Sequence, residues 1–345
     1  MKSEKNIRIA LLGFGPVNRS FAEILADKGA GLYQRYGARL MVTAAVDSTG
    51  GALDVEGLDP GRLVKAKSFG SVAGYPEKGQ TGLQGLDALA RSEADIVLEA
   101  TTVSMQDGEP GMSHVRTALS LGKHVVLANK GPLVRAYQAL QSLAQDHQVS
   151  IKFSATLGGS LPTYNIGVRD LAGCTIERVD AILNGTSHYI LSSMNTGVTY
   201  EEALVEAQRL EIAERDPTLD VEGWDAANKL VILANSILNV PATLDDIERI
   251  GITHLKPSDL PLTMLGTAIR NDDGGYSLAV RPERLPEDHP LAALPPLSMG
   301  IVFHTDLVGP LAMTVNERGP KPTAAAMLRD VLEIAVGGRQ SDRIC

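Results

Sequence analysis

From Asn6 to Gly13 apolar and polar positions alternate, and the run breaks into a glycine-rich turn, GFGPVN. FAEILADKG then carries the spacing of an amphipathic helix up to Gly29. A second apolar run, RLMVTAAVD, ends in Asp47. Residues 50 to 85 are rich in Gly, Pro and charge and read as an insertion or long loop. The alternation resumes with ADIVLEA as a strand, PGMSHVRTALSLG as a helix, HVVLAN as a strand, and RAYQALQSLAQDH as a helix ending near Gln148.

Strands interleaved with helices of this length predict a parallel sheet with helices on both faces. Beyond it, SIKFSATLGGSLP is a strand that breaks into Gly158 and Gly159, and ERVDAILNGTSHYIL reads as strand, NGT turn and helix start. Thr199 and Glu202 form a capping box that opens another helix. Pro217 and Gly223 keep residues 214 to 223 out of regular helix, and DAANKLVILANSILNV is helical from Asp225 to Val240. Residues 264 to 285 form a hairpin across NDDGG, IVFHTDLVGPLAMTV adds strands, and PTAAAMLRDVLEIAV is a closing helix that returns to the first domain. The fold class is therefore α/β. A Rossmann-type doubly wound parallel sheet occupies residues 1–150, completed by 320–345. An α+β domain with a mixed sheet, suited to substrate binding and dimerisation, spans 151–319.

Composition narrows the partners. The chain has 345 residues, 44% hydrophobic and 21% charged, enough to bury a sizeable core. Its formal net charge of -9 opposes a polyanion, and no Lys/Arg-rich run offsets it, so nucleic acid is not an expected partner. No apolar stretch reaches bilayer length and no signal-type cleavage site follows the N-terminus, so the expectation is a cytoplasmic chain without a membrane partner. Cys174 and Cys345 offer no disulfide framework: they read as a buried thiol and a terminal one, or a bridge between two Cys345 of a dimer. The seven histidines show no zinc-ligand spacing.

Candidate chemistry sits at strand ends and on one helix. In the turn Gly13, Phe14, Gly15, Pro16, Val17 and Asn18, the first glycine permits a tight bend and the second lets amides approach a pyrophosphate at a helix N-terminus. Asn18 stands where the fingerprint has its third glycine. Asp47, at the end of the second strand, either accepts the ribose hydroxyls of NAD, disfavouring the 2′-phosphate of NADP, or simply forms a turn. Ligands on such sheets sit beyond the strand C-termini, where Thr101, Thr102, Asn129 and Lys130 fall; Lys130 is a site residue or a solvated loop lysine. Gly158 and Gly159 mark a ligand approach or a plain turn. Asp225 and Lys229 are four apart on one helix face, among Ala226, Ile232 and Leu233. Either they form a structural pair, or Lys229, held by Asp225 with Asp220 or Glu214 nearby, moves a proton to or from an alcohol oxygen.

ANKGPL, ATLGGSLP, LNGTSHYIL and ERDPTLDVEGWDAANK together resemble homoserine dehydrogenase, in an order that spans essentially the whole chain. The resemblance implies a homodimer that interconverts L-homoserine and L-aspartate 4-semialdehyde with NAD or NADP. It places the catalytic lysines at Lys130 and Lys229, and the substrate-binding groups at Glu214, Asp220, Asp225 and the Asn184–Gly185–Thr186 turn. Thr101 and Gly319 become cofactor contacts, and the backbone carbonyls of Leu157, Gly159 and Leu161 become ligands of a monovalent cation. The chain departs from the family pattern at Asn18, at Ser154 in place of a cation-holding glutamate, at Ser160 and at His188. Ser154 and His188 keep one alternative open, a dehydrogenase for another short hydroxy acid or hydroxy amino acid; a second, of a different class, is a non-catalytic dinucleotide-binding sensor, against which the retention of Lys130 and Lys229 speaks. The regulatory ACT-type extension of some relatives is not expected.

Overall fold

The computed structural model describes residues 5–104 and 106–337; Cys345 lies outside them. The elements in order are β1 (Lys5–Leu12), α1 (Pro16–Tyr36), β2 (Ala38–Asp47), β3 (Gly50–Leu58), α2 (Pro60–Ser68), β4 (Gly79–Thr81), α3 (Gly85–Arg91), β5 (Ile96–Glu99), α4 (Gly111–Ser120), β6 (His124–Leu127), α5 (Gly131–Asp146) and β7 (Ile151–Lys152). There follow a helical turn α6 (Thr163–Asn165), β8 (Ile176–Ile182), α7 (Gly185–Met194), α8 (Tyr200–Arg209), α9 (Thr218–Val221) and α10 (Trp224–Ser236). Last come β9 (Ile247–Arg249), β10 (Thr263–Arg270), β11 (Tyr276–Glu283), β12 (Ser298–Thr305), β13 (Gly309–Asn316) and α11 (Lys321–Val336).

The chain forms two compact units, one running to Gly159 and resuming at Arg318, the other spanning Ser160–Glu317. In the first, seven strands take the order β4-β3-β2-β1-β5-β6-β7. The stretch from β2 to β7 is parallel, and β3 and β4 add an antiparallel edge. The segment read as an insertion or loop is thus largely ordered sheet and helix. GALDVEGL hides its alternation behind glycines, and Asp47 closes the β2–β3 turn by accepting from the Thr49 amide at 3.0 Å. The helix α1 passes Gly29 and ends seven residues later, where Gly37 takes the left-handed conformation (φ 71°) that a side chain resists. This unit also includes the strand β7 and the stretch to Gly159: β7 pairs with β6, and Ser154 donates to Asp330 of α11. The closing helix packs against α1 through Ala324, Met327 and Val331, all buried with Phe21 in one core.

The second unit is built on a six-stranded mixed sheet, β13-β12-β8-β10-β11-β9, antiparallel except for the β11–β9 pair. The hairpin β10–β11 turns at NDDGG, where the Asn271 amide donates to Gly275. The helix α10 packs on β10 and β11 and is buried from Ala226 through Ser236, so it is apolar nearly all round and Lys229 sits inside it. It ends at Ser236, short of the expected Val240. Asn235 donates to Ala242 O at 2.8 Å and Asn239 adopts φ 55°, which together bend the chain away from helix. Cys174 is half-buried and free.

Candidate active site

The glycine turn of the first unit sits over β1 and β5. Gly13 has φ 78°, and a Cβ there would lie 2.6 Å from the Thr101 amide nitrogen, so only glycine lets the two strand ends meet. Gly15 caps α1 with nothing within 4 Å of where its Cβ would stand, and no side chain caps the first turn. Phe14 is fully buried and Pro16 starts the helix. Open space before the positive end of a 21-residue helix fits a dinucleotide pyrophosphate.

Asn18, where a third glycine was expected, is fully buried, and its Nδ2 reaches the carbonyls of Leu12 (3.0 Å), Gly13 (3.2 Å) and Leu98 (3.4 Å). The side chain therefore ties α1 to β1 and β5. Asp47 makes the bonds of a turn former. Its carboxylate accepts from the Thr49 amide and hydroxyl, Ser71 Oγ and the Val72 amide, and pairs with Lys67 Nζ at 2.8 Å. Burial alone would raise its pKa; these donors hold it well below the usual carboxylate range.

At the ends of β5 and β6 the chain assembles a buried polar line. Thr101 donates its amide (3.2 Å) and its hydroxyl to Glu99 Oε1. Asn129 Nδ2 donates to Thr101 Oγ1 at 3.2 Å, and Asn129 Oδ1 accepts from the Gly131 amide at 2.9 Å. Lys130 is the half-buried N-cap residue of α5, between these two anchored positions, and Thr102 is exposed. Gly319 (φ 70°) precedes α11 with open space around it. Gly158 and Gly159 have φ 100° and 59°; Leu157 is buried in this unit. Leu161 belongs to the other, where its carbonyl accepts from the Thr163 amide at 2.8 Å.

In the second unit Lys229, on α10, donates to Asp225 Oδ2 at 2.7 Å and to the Leu183 carbonyl at 2.5 Å. Gly223 (φ 79°) turns the chain between α9 and α10, which brings Asp220 alongside. Asn184 joins both acids, donating to Asp220 Oδ1 at 2.6 Å and Asp225 Oδ2 at 2.9 Å, while its Oδ1 caps α7 through the Ser187 amide. Burial raises the Asp220 pKa, helped by the charge of Asp225 and opposed by Asn184, Lys229 and Thr186. Gly185 lies under the Leu297 carbonyl, and Thr186 donates to Ile212 O at 3.1 Å. Glu214 stands apart: it is exposed, and its main-chain carbonyl accepts from Gln208.

Two family departures turn out to be anchored. His188 Nε2 meets the carbonyls of Leu294 and Pro295 at 3.2 Å, and burial lowers its pKa, so the ring is neutral. Ser154 bonds Asp330 through both its amide and hydroxyl. Sequence spacing also missed a cluster of Asp180, His289 and His304, which come from three distant segments. Arg178 Nε lies 2.8 Å from Asp180 Oδ1, and His289 Nδ1 accepts from the Leu291 amide, which puts the ring proton on Nε2 toward Asp180. Arg178 and the two rings surround a buried carboxylate.

Comparison with known proteins identifies the family. Residues 13–154 match the family model described as homoserine dehydrogenase, NAD binding domain, and residues 162–332 match homoserine dehydrogenase. The homoserine dehydrogenase of Methanocaldococcus jannaschii is 38% identical over 94% of this chain and 98% of its own length. The NAD(+)-dependent homoserine dehydrogenase of Pseudomonas canavaninivorans is 35% identical over 95% and 96%. A hyperthermophilic archaeal homoserine dehydrogenase mutant in complex with NADPH superposes with a TM-score of 0.85 at 26% identity, covering 95% of this chain and 97% of that one. The homoserine dehydrogenase of Thiobacillus denitrificans gives 0.84 at 30% identity, covering 99% and 76%. The chain belongs to the homoserine dehydrogenase family.

Proposed function

We propose that the chain interconverts L-homoserine and L-aspartate 4-semialdehyde, with Lys229 as the group that moves the hydroxyl proton. The observation that carries this role is the occupancy of its amine. A lysine amine has three positions for hydrogen bonds. Leu183 O and Asp225 Oδ2 take two of them, which leaves the third direction for the substrate hydroxyl. Asp220 and Asp225, facing one lysine, leave an excess negative charge that suits the substrate ammonium, and Asn184 keeps the two carboxylates in register. Lys130 serves as the second lysine, on the first unit.

NAD or NADP, bound along the glycine turn, supplies a nicotinamide that accepts or returns the hydride. Gly15 leaves room for the phosphates, Gly13 lets the ends of β1 and β5 meet, Asn18 fixes the helix, and Thr101 presents its main chain at the end of β5. Lys67, paired with Asp47, offsets the charge on which the preference for NAD rested, so the choice between the cofactors lies in their measured ratio. His188 and Ser154, which motivated the reading of another hydroxy acid, are both tied into the fold, and the presence of Lys130 and Lys229 beside the acids speaks against a silent sensor. Among the described residues no helix is long and apolar enough to cross a membrane. The family reading carries a homodimer, which light scattering in solution tests.

Steady-state assays with homoserine and either cofactor are the direct test. Turnover with homoserine, lost by orders of magnitude in Lys229→Ala with cofactor affinity kept, is the expected result. Negligible turnover by the folded parent with both cofactors, or full activity of the variant, overturns the reading.

A further inference from the structure

We infer that Glu99 is a positioning residue that holds Lys130 in place through Thr101 and Asn129. The inference rests on the proposal that Lys130 serves the reaction.

Glu99 ends β5 and is fully buried, below strand residues Ile96, Val97 and Leu98 that are equally inaccessible. A carboxyl in such surroundings is costly unless its bonds serve a purpose, and one of its oxygens, Oε2, has no hydrogen-bond partner. The other oxygen is doubly used, accepting from the amide and the hydroxyl of Thr101. Because that hydroxyl donates to Glu99, its lone pair is free to accept from Asn129 Nδ2 at 3.2 Å. Asn129 Oδ1 then accepts from the Gly131 amide at 2.9 Å. Every donor in this line points one way, and it ends with both neighbours of Lys130 fixed.

The packing around the line admits little else. A Cβ on Gly111 would lie 2.6 Å from Asn129 Nδ2 and 3.2 Å from Glu99 Oε2, and one on Gly131 would lie 3.0 Å from Ser104 O. His114 closes the other side, with Nδ1 3.5 Å from Glu99 Oε1 and its Nε2 occupying the space that a side chain at Gly85 would need. The start of α5, on which Lys130 stands, is thereby held from the interior. A reacting group needs placement to within a fraction of an ångström, and an error of about 1 Å costs on the order of 100-fold in rate.

The test compares kcat in Glu99→Ala, Asn129→Ala, Thr101→Val, Glu99→Gln and the Glu99→Ala/Asn129→Ala double variant, with thermal melts to establish folding. Thr101→Val keeps the shape and the buried acid, so it stands in if Glu99→Ala does not fold. We expect each line-breaking variant to lose on the order of 100-fold in kcat. The double variant should fall no further than either single one, because the line acts as a unit. Glu99→Gln, whose side-chain carbonyl still accepts from Thr101, should recover to within about threefold. Full kcat in folded Thr101→Val alongside an inactive Lys130→Ala overturns the inference alone, as do multiplying losses in the double variant. Full turnover in Lys130→Ala overturns the reading beneath it as well.

Discussion

Lys229 Nζ lies 2.7 Å from Asp225 Oδ2, one turn back on the same helix, and 2.5 Å from the Leu183 carbonyl at the end of β8. The pair is largely buried, with side-chain exposures of 11% and 18%. Asp225→Asn keeps the shape but removes the charge that faces both Lys229 and the incoming ammonium. We expect kcat/KM for homoserine to fall by roughly 100-fold and stability by about 1–3 kcal/mol. Unchanged homoserine kinetics would show that the carboxylate acts on the fold alone.

Asn184 donates to both Asp220 and Asp225, and its bond lowers the Asp220 pKa against burial. Replacing it with Ala leaves burial and the charge of Asp225 unopposed by that bond, so the Asp220 pKa rises further. An ionised Asp220 attracts the ammonium, and protonation removes that attraction. The acid limb of the kcat/KM profile of Asn184→Ala should therefore move to higher pH. A limb that stays in place separates Asp220 from substrate binding.

Asn18→Gly restores the family fingerprint and tests what the fold does with the departure. The variant loses the bonds to Leu12, Gly13 and Leu98 and places glycine within a helix. Destabilisation by about 1–3 kcal/mol in urea unfolding is expected. A variant as stable as the parent would reduce the three bonds to incidental contacts.

Asp330 is buried on α11, and burial pushes its carboxyl up to about 6 against the bonds from Ser154. The folded state then holds the proton more tightly than the unfolded state, whose value is 3.8. This contribution to stability is full below 3.8 and is lost as pH rises through about 6. Asp330→Asn does not titrate. It should gain on the parent between about pH 4 and about pH 8, by on the order of 3 kcal/mol for a shift of this size. Thermal melts across that range check the sign, and parallel curves would rule it out.

Much of the site could be read from short spans of chain. The glycine turn at Gly13 and the i,i+4 pair of Asp225 and Lys229 are local features, and a helix with no other charge announces that its lysine is buried. Of the acids the same reading named, the turn at Gly223 brings Asp220 beside Asp225, while Glu214 is exposed on the preceding loop, where no local pattern fixes the direction of a carboxylate. That reading passed over Glu99, although Thr101 is only two residues away, since a lone acid at the end of an apolar strand carries no periodic signal. The β3–β4 edge was lost for a similar reason: glycines blur a period of two, and the pairing of β3 depends on β2 being there to receive it.

Sequence by itself determined the alternation of strand and helix, the place where backbone must bend left-handed, and the helix face that carries the lysine. These follow from the sterics of neighbouring residues and from periodicities of 2.0 and 3.6. Tertiary structure decided which atoms complete each polar group: Leu183 O for Lys229, Leu98 O for Asn18, Ser71 and Lys67 for Asp47, and Asn184 for two acids at once. A buried polar atom must be satisfied by whatever the packed chain brings within about 3 Å. Those partners lie 20 to 80 positions away, beyond the reach of any local pattern.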